Sequence, residues 1–423
     1  MSTHARGRPI DATGAAPVSP GARADPEKAR PGPPKAPVLG WRSLWPAGSS
    51  GLPHVGHLPH RAYTTSGRAA LLCALKQLAL PAGSGVLVPT YHCPTMVAPV
   101  IQAGLTPMYF PIGPDGLPLL DGIPAATAGR ARVMFVAHYF GLPKSLHGVR
   151  AWCDERGIAL VEDCAHSYFG QAGDRPVGAW GDFAAASLSK FFPVDEGGLL
   201  ASAHRPLQPL GLAPAGLRAQ VKGGFSVLEF AYRHGRLPGP SQLLAPLIWL
   251  KNRGHVPHDP VGWQGPGGTA PDADAMMASC DMGRVAQSVT WVARNLHRAL
   301  PQAGIVQRRR RHFQAYDEAF SQTWASAQGV RPLAAGLTDG TAPYVFPLWV
   351  DSVANADALY AQLRLARLPV FRWDRIWPGT PADGQDSGAA WSRQVLQLLC
   401  HQDLRGGHVD QVVDRIRLFL PST

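Results

Sequence analysis

An apolar run, Gly157-Ile158-Ala159-Leu160-Val161, ends in the carboxylate pair Glu162-Asp163 and continues as Cys164-Ala165-His166. The run reads as a buried strand, and open α/β sheets place ligands at the C-terminal ends of their strands. A second apolar segment, Phe183 to Ala186, leads into Ser187-Leu188-Ser189-Lys190, and a Glu196-Gly197-Gly198 turn follows. An acid on one strand end and a lysine on another meet the needs of pyridoxal phosphate chemistry. The lysine holds the cofactor aldehyde as a Schiff base, and the acid keeps the pyridine nitrogen protonated so that the ring accepts electrons.

Lysine is scarce in this chain, which narrows the choice. Lys28, Lys35, Lys76, Lys144, Lys190, Lys222 and Lys251 are all there are, and the other strong bases are arginines. A guanidinium stays protonated and forms no Schiff base. Of these lysines, Lys190 is the one between a hydroxyl-rich strand end and a Glu-Gly-Gly turn. Proton transfer by Lys190 requires its basicity to be lowered, which partial burial achieves. Asp163 is the expected partner of the pyridine nitrogen. Glu162, its strand neighbour, is expected on the opposite face. Gly67 and Arg68 fall at a predicted helix start, where backbone N–H groups favour a phosphate and glycine permits close approach. Ser187 and Ser189 offer hydroxyls to the same phosphate.

Residues 161–202 resemble the active-site region of the DegT/DnrJ/StrS aminotransferases, fold-type-I pyridoxal phosphate enzymes, most of which act on keto-sugar nucleotides. The residues that carry the likeness are Glu162-Asp163-Cys164-Ala165-His166, Gly181-Asp182, Ser187, Lys190 and Glu196-Gly197-Gly198. Further motifs follow in family order: Ser66-Gly67-Arg68-Ala69-Ala70-Leu71, Val86-Leu87-Val88-Pro89, Ala103-Gly104-Leu105-Thr106-Pro107 and His138-Tyr139-Phe140-Gly141-Leu142-Pro143. Arg308 to Tyr316 resembles an arginine-rich helix start, and Leu396 to Leu404 a terminal segment that closes over the site.

The resemblance implies a sheet of the seven-stranded, mainly parallel type flanked by helices, with a smaller C-terminal α+β domain. It implies a homodimer and transfer of an amino group from an amino acid, glutamate foremost, to a keto group of a nucleotide-linked sugar. A polysaccharide-biosynthesis setting goes with it. It makes Lys190, Asp163 and His166 catalytic, with His166 near the cofactor's phenolic oxygen, and it prefers Ser187 for the phosphate. The cofactor set is Gly67, Arg68, Cys93, Asp163, His166, Ser187 and Lys190. Cys93 stands where the family's ring-stacking aromatic falls, and Tyr91 or His92 are the replacements at hand. Ser187-Leu188-Ser189-Lys190 is two residues more compact than the family's spacing. Asp281-Met282-Gly283-Arg284 is the nearest remnant of an Asn-Tyr-Arg-Met segment that reaches a neighbouring subunit. Two other readings keep the fold: a non-sugar keto acceptor, or a non-catalytic binding descendant.

With 423 residues and 45% apolar composition, the chain can bury a large core. The sequence divides into a Pro/Gly-rich disordered tail over 1–40, a large cofactor-binding domain over 41–295 and a small α+β domain over 296–423. Residues 199–275 read as an irregular insertion. The net charge of +11 has one dense run, Arg308-Arg309-Arg310-Arg311. It reads as a solvated or intersubunit face, with the pyrophosphate of a nucleotide sugar as the functional alternative. Basic residues are not interleaved with aromatics as nucleic-acid binding requires. The six cysteines form no Cys-x-x-Cys pair, and no signal-like apolar stretch follows the start, which predicts a reduced cytoplasmic protein. His54, His57 and His60 lack thiol or carboxylate partners, so no metal is expected. Leu243 to Leu250 is too short to span a bilayer and reads as core or dimer interface, or as an amphipathic surface element.

Overall fold

Short apolar runs alternate with helical periods from residue 60 onward, and that alternation builds a mixed sheet covered by helices. The protein is described by a computed structural model covering residues 32–45, 48, 51–253, 272–334, 336–382 and 384–420. Most of the predicted tail, residues 1–31, lies outside the described residues.

The first half runs β1 (His60–Thr64), α1 (Gly67–Gln77), β2 (Gly85–Pro89), α2 (Pro94–Gln102), β3 (Thr106–Phe110), α3 (Ala125–Arg130), β4 (Ala131–Ala137), α4 (His147–Glu155) and β5 (Ala159–Asp163). A two-residue pair follows, β6 (Gln171–Ala172) with β7 (Arg175–Pro176), and then β8 (Phe183–Ser187) and β9 (Gly198–Ser202). The seven-stranded sheet has the order β1-β9-β8-β5-β4-β2-β3. Strands β3, β2, β4, β5 and β8 are mutually parallel, whereas β9 is antiparallel to both β8 and β1. Strands β2, β8 and β9 are buried along their whole length. Burial on both faces is why they read as unbroken apolar runs.

The helices α5 (Leu217–Arg233), α6 (Pro240–Leu243), α7 (Ala245–Asn252) and α8 (Ala273–Ser279) come next. This corrects the expectation of an irregular segment over 199–275. Residues 199–202 belong to β9, and much of the remainder is helical. Gly223 and Gly224 weaken the helical signal of α5, but Gly223 lets the helix lie against Thr290, where an added Cβ would meet the side chain at 3.2 Å. Helix α7 is also not core: Leu247, Trp249 and Leu250 are exposed, while Ile248 is buried.

The chain continues with α9 (Trp291–Ala299), α10 (Ala303–Phe320), α11 (Thr323–Ala327), β10 (Val330–Pro332), β11 (Val345–Val350), α12 (Val353–Leu365), β12 (Val370–Phe371), α13 (Ser387–Gln394), β13 (Val395–Leu399) and α14 (His408–Phe419). The antiparallel sheet β10-β11-β13-β12 carries α10, α12 and α14 through a core that includes Phe313, Tyr316, Phe346, Leu359, Leu396 and Ile416. Residues 32–40 are part of this ordered fold, contrary to the expected disorder up to residue 40. Val38 and Leu39 are buried, and the Val38 N–H donates to Asp403 Oδ2 at 3.0 Å. Among the described residues no helix is long and apolar enough to cross a membrane.

Candidate active site

Strands β5 and β8 lie side by side, so Asp163 at the end of one sits near the Ser187–Lys190 turn that leaves the other. Asp163, Lys190, Ser187 and Ser189 line one cavity of about 480 Å³ together with Ser66, Gly67 and Arg68. Lys190 is half-buried, and desolvation in the cavity pulls its amine down from the ordinary lysine value while Asp163 pulls the other way. Burial pushes the Asp163 carboxyl up, and Lys190 is the first of the influences that oppose it. The two groups therefore sense each other's charge inside a space with little water to screen it. Lys190 Nζ lies 5.1 Å from the centre of the Tyr344 ring. Asp163 Oδ1 accepts the Ala165 N–H at 2.8 Å, which fixes the carboxylate.

The anion side of the cavity is the start of α1. Ser66 caps the helix by accepting the Ala69 N–H at 3.2 Å, which leaves the amides of Gly67 and Arg68 ahead of the first helical bond. A Cβ on Gly67 would come to 3.4 Å from Ser187 Cβ and fill the cradle between this helix start and β8. Ser187 and Ser189 place their hydroxyl oxygens 3.4 Å apart on the opposite wall. Amides at a helix start, two hydroxyls, a half-buried amine and a carboxylate are the donor set that pyridoxal phosphate requires, so the residues present fit that cofactor.

Glu162 does face away from Asp163, and it has a holding role. Its carboxylate accepts N–H bonds from Gly178, Trp180 and Gly181 at 2.9, 2.7 and 2.6 Å, and it lies 2.8 Å from His138 Nε2. His138, Glu162 and Cys164 are the one cluster among the described residues with the make-up of a metal site. The Glu162 oxygens are already saturated by these bonds. His54 and His57 stack on each other at 3.5 Å instead of converging with acids.

Two predicted residues sit beside the cavity rather than on its wall. His166 is buried behind it, its ring 4.5 Å from Tyr344 and 4.7 Å from Trp373, and Phe140 N–H points to its Nδ1 at 3.4 Å. Burial, and then Lys190, hold its imidazole well below the usual histidine value. Cys93 is the N-cap residue of α2 and takes a hydrogen bond from Thr95 Oγ1 at 3.1 Å. Neither suggested aromatic substitute reaches the cavity wall. Tyr91 is buried among Tyr139, Trp373 and Trp391. His92 stacks on Tyr109 and accepts the Trp377 N–H at 3.1 Å.

Asp195 and Lys222 also line the cavity, and sequence reasoning did not single them out as site residues. Glu196 of the Glu-Gly-Gly turn lines it too, as do Asp281 and Arg284 of the 281–284 segment. Arg68 pairs with Asp281 at 3.0 Å, and Arg284 pairs with Glu196 at 2.5 Å, so the Asp281–Arg284 segment is tied to both sides of the site within its own chain. The arginine run needs the clearest correction. Arg309 is fully buried, not solvated. It donates to Lys190 O at 2.7 Å, Pro343 O at 3.1 Å and Gln402 Oε1 at 2.9 Å, with its guanidinium 4.4 Å above Phe191. Burial lowers it to about 10. The sequence held a signal for this: Arg309 shares a helical stripe with Phe313, Tyr316 and Phe320, all buried. The Leu396–Leu404 segment supplies β13 and the buried Gln402, whose Nε2 donates to Phe191 O at 2.8 Å.

The comparisons agree with this geometry. Residues 54–208 match the model of the DegT/DnrJ/EryC1/StrS aminotransferase family. The chain is 31% identical over 170 residues to a UDP-N-acetyl-3-dehydro-alpha-D-glucosamine 3-aminotransferase of Acidithiobacillus ferrooxidans, covering 38% of this chain and 43% of the relative. It is 28% identical to an L-glutamine:2-deoxy-scyllo-inosose aminotransferase of Streptomyces kanamyceticus, over 33% of this chain and 34% of that one. The chain thus spans less than half the length of these curated relatives. A crystal structure of a DegT DnrJ EryC1 StrS aminotransferase from Brucella abortus superposes with a TM-score of 0.57 at 18% identity, over 86% of this chain and 87% of that one, which establishes a shared fold. The lysine and the acid of the cavity lie inside the segment, residues 54–208, that matches the DegT/DnrJ/EryC1/StrS aminotransferase family model.

Proposed function

We propose that the protein is a pyridoxal phosphate-dependent aminotransferase that moves an amino group from an amino acid, glutamate foremost, to a keto group of a nucleotide-linked sugar. The observation that carries this reading is the meeting of a half-buried, base-weakened Lys190 and the Asp163 carboxylate in one cavity with the α1 start and Ser187. Pyridoxal phosphate supplies an electron sink for the pair left behind when a proton leaves the carbon bearing the amino group. Lys190 would hold the cofactor's aldehyde carbon and is placed to carry a proton at the substrate carbon. Its lowered basicity suits an amine that must give up a proton as readily as take one. Asp163 holds the proton on the ring nitrogen, and a cation beside it favours its ionised form despite burial. The amides of Gly67 and Arg68, with Ser187 and Ser189, hold the phosphate. His166 buttresses Tyr344 and the Phe140 backbone from behind the site.

The name of the Acidithiobacillus relative supports a nucleotide-sugar acceptor. The Streptomyces relative acts, by its name, on an inosose with glutamine, and this favours a second reading with a free keto cyclitol as acceptor. A homodimer is part of the proposal, with the exposed Leu247, Trp249 and Leu250 of α7 in support; light scattering tests it.

The deciding experiment is the absorbance spectrum of purified protein loaded with cofactor, before and after glutamate. A visible band that moves to the near-ultraviolet is expected. Lys190→Ala should lose the shift and slow turnover by about 10²–10⁴-fold, with the melting temperature retained. Lys190→Arg should be as inactive as the alanine variant. No band after adding cofactor to the wild type would overturn the proposal. A panel of keto sugars and keto cyclitols then separates the two acceptors.

A further inference from the structure

On the other side of Arg309 the same helix opens onto a larger cavity, about 770 Å³, that none of the roles above uses. Arg308 and Arg311 of α10 line it, and Arg42, Arg236 and Arg405 join them from three other segments. Five arginines face two aspartates, Asp403 and Asp410, so the space is strongly electropositive. Asp403 is occupied, since its carboxylate accepts the Val38 N–H.

Two observations point to a ligand at this cavity. The Nε groups of Arg236 and Arg308 are buried and have no hydrogen-bond partner among the described residues. Unpaired buried donors are costly, and charged ones more so. Trp41 stands at the rim, half-exposed, with its Nε1 tied to Pro238 O at 3.2 Å and its ring available for stacking.

We propose that this cavity is a second ligand site that binds an anion carrying two adjoining phosphate groups, a nucleoside diphosphate or free pyrophosphate. Guanidinium forks match phosphate oxygens in pairs, and several arginines at one space suit adjoining phosphates better than a single one. The volume lies in the range of small-molecule pockets. Burial and the repulsion of Arg405 and Arg42 both weaken the Arg236 cation, a cost that a bound anion relieves. The assignment does not rest on the aminotransferase reading.

The test is titration calorimetry on the full chain loaded with pyridoxal phosphate, using uridine diphosphate, inorganic pyrophosphate and orthophosphate. The two diphosphates should bind at least about tenfold more tightly than orthophosphate, and binding should weaken with added salt. Arg42→Glu/Arg311→Glu, at two exposed rim positions, should weaken both diphosphates by about tenfold or more and leave the cofactor spectrum and melting temperature unchanged. Arg311→Lys should keep most of the affinity. Trp41→Ala separates the sources: loss for uridine diphosphate alone identifies the nucleotide, and equal binding of both identifies pyrophosphate. Unchanged affinity in the double charge-reversal variant, or equal binding of orthophosphate, would overturn the proposal.

Discussion

Glu162 and Asp163 are adjacent acids with opposite tasks, and the pleat of β5 explains why. Asp163 faces the cavity, whereas Glu162 gathers three amide N–H groups and His138 on the other side. Glu162→Gln replaces one acceptor oxygen by an NH₂ that faces N–H donors. A loss of about 2–3 kcal/mol in urea unfolding is expected, as for a buried acceptor removed from its donors. Cofactor affinity should fall with it, because Asp163 rides on the same strand end. An unfolding midpoint equal to wild type would show that the 178–181 loop does not depend on this carboxylate. Asp163 and Lys190 were legible in the sequence because an acid and one of only seven lysines close apolar strands. His138 was legible only as part of a motif. Its role depends on β4 and β5 being neighbours in the sheet, which residue types do not encode.

At the scale of elements, the phosphate cradle depends on how closely β9 approaches the start of α1. A Cβ on Gly198 would fall 2.2 Å from Ser66 O, so Gly198→Ala must push the helix cap away. The variant should lose about 1–3 kcal/mol by melting, as overpacked sites do. Its affinity for pyridoxal phosphate should drop more than that of a surface control; equal affinity would remove Ser66 and Gly67 from the cradle. The clamp on the other side is Arg309, whose fork spans four acceptors on three segments. Arg309→Lys keeps the charge but has a point donor in place of the fork. Expected are a loss of about 2–4 kcal/mol in unfolding and a fall in turnover, because the Lys190 carbonyl is released. Turnover at the wild-type level would make the clamp dispensable. Strands β5 and β8 were readable from their apolar runs, and the start of α1 from its Ser-Gly-Arg-Ala entry. Helices α5 to α7 were not, since Gly223, Gly224, Pro240 and Pro246 mark breaks locally while tertiary packing overrides them. The arginine run was misread because four like residues conceal which one the helix turns inward.

Over the whole molecule, buried neutral histidines set the acid limit. Burial lowers His92 and His297 from the ordinary 6.5 to about 4, and His401 to about 3. Between these values and 6.5 the unfolded chain binds more protons than the folded one, so stability falls as pH falls. Each contributes up to about 1.4 kcal/mol per pH unit in that window, and the three together should cost on the order of 4 kcal/mol between pH 6.5 and 5. Urea midpoints measured across that range check the slope, and a flat profile would contradict it. Asp163 and Asp403, raised by burial, act in the opposite sense nearer pH 4, which makes the higher window the clean one. One further consequence lies in how far apart in the chain the two sides of one contact are. Pro34 and Val38 are fastened to His401 and Asp403, across 367 and 365 positions, and Lys35, Ala36, Pro37 and His401 border a space that also touches Lys190. That border joins two segments separated by at least 365 positions. The wall near Lys190 therefore forms only once two segments far apart in the chain have docked, and its closure carries the entropy cost of a very long loop.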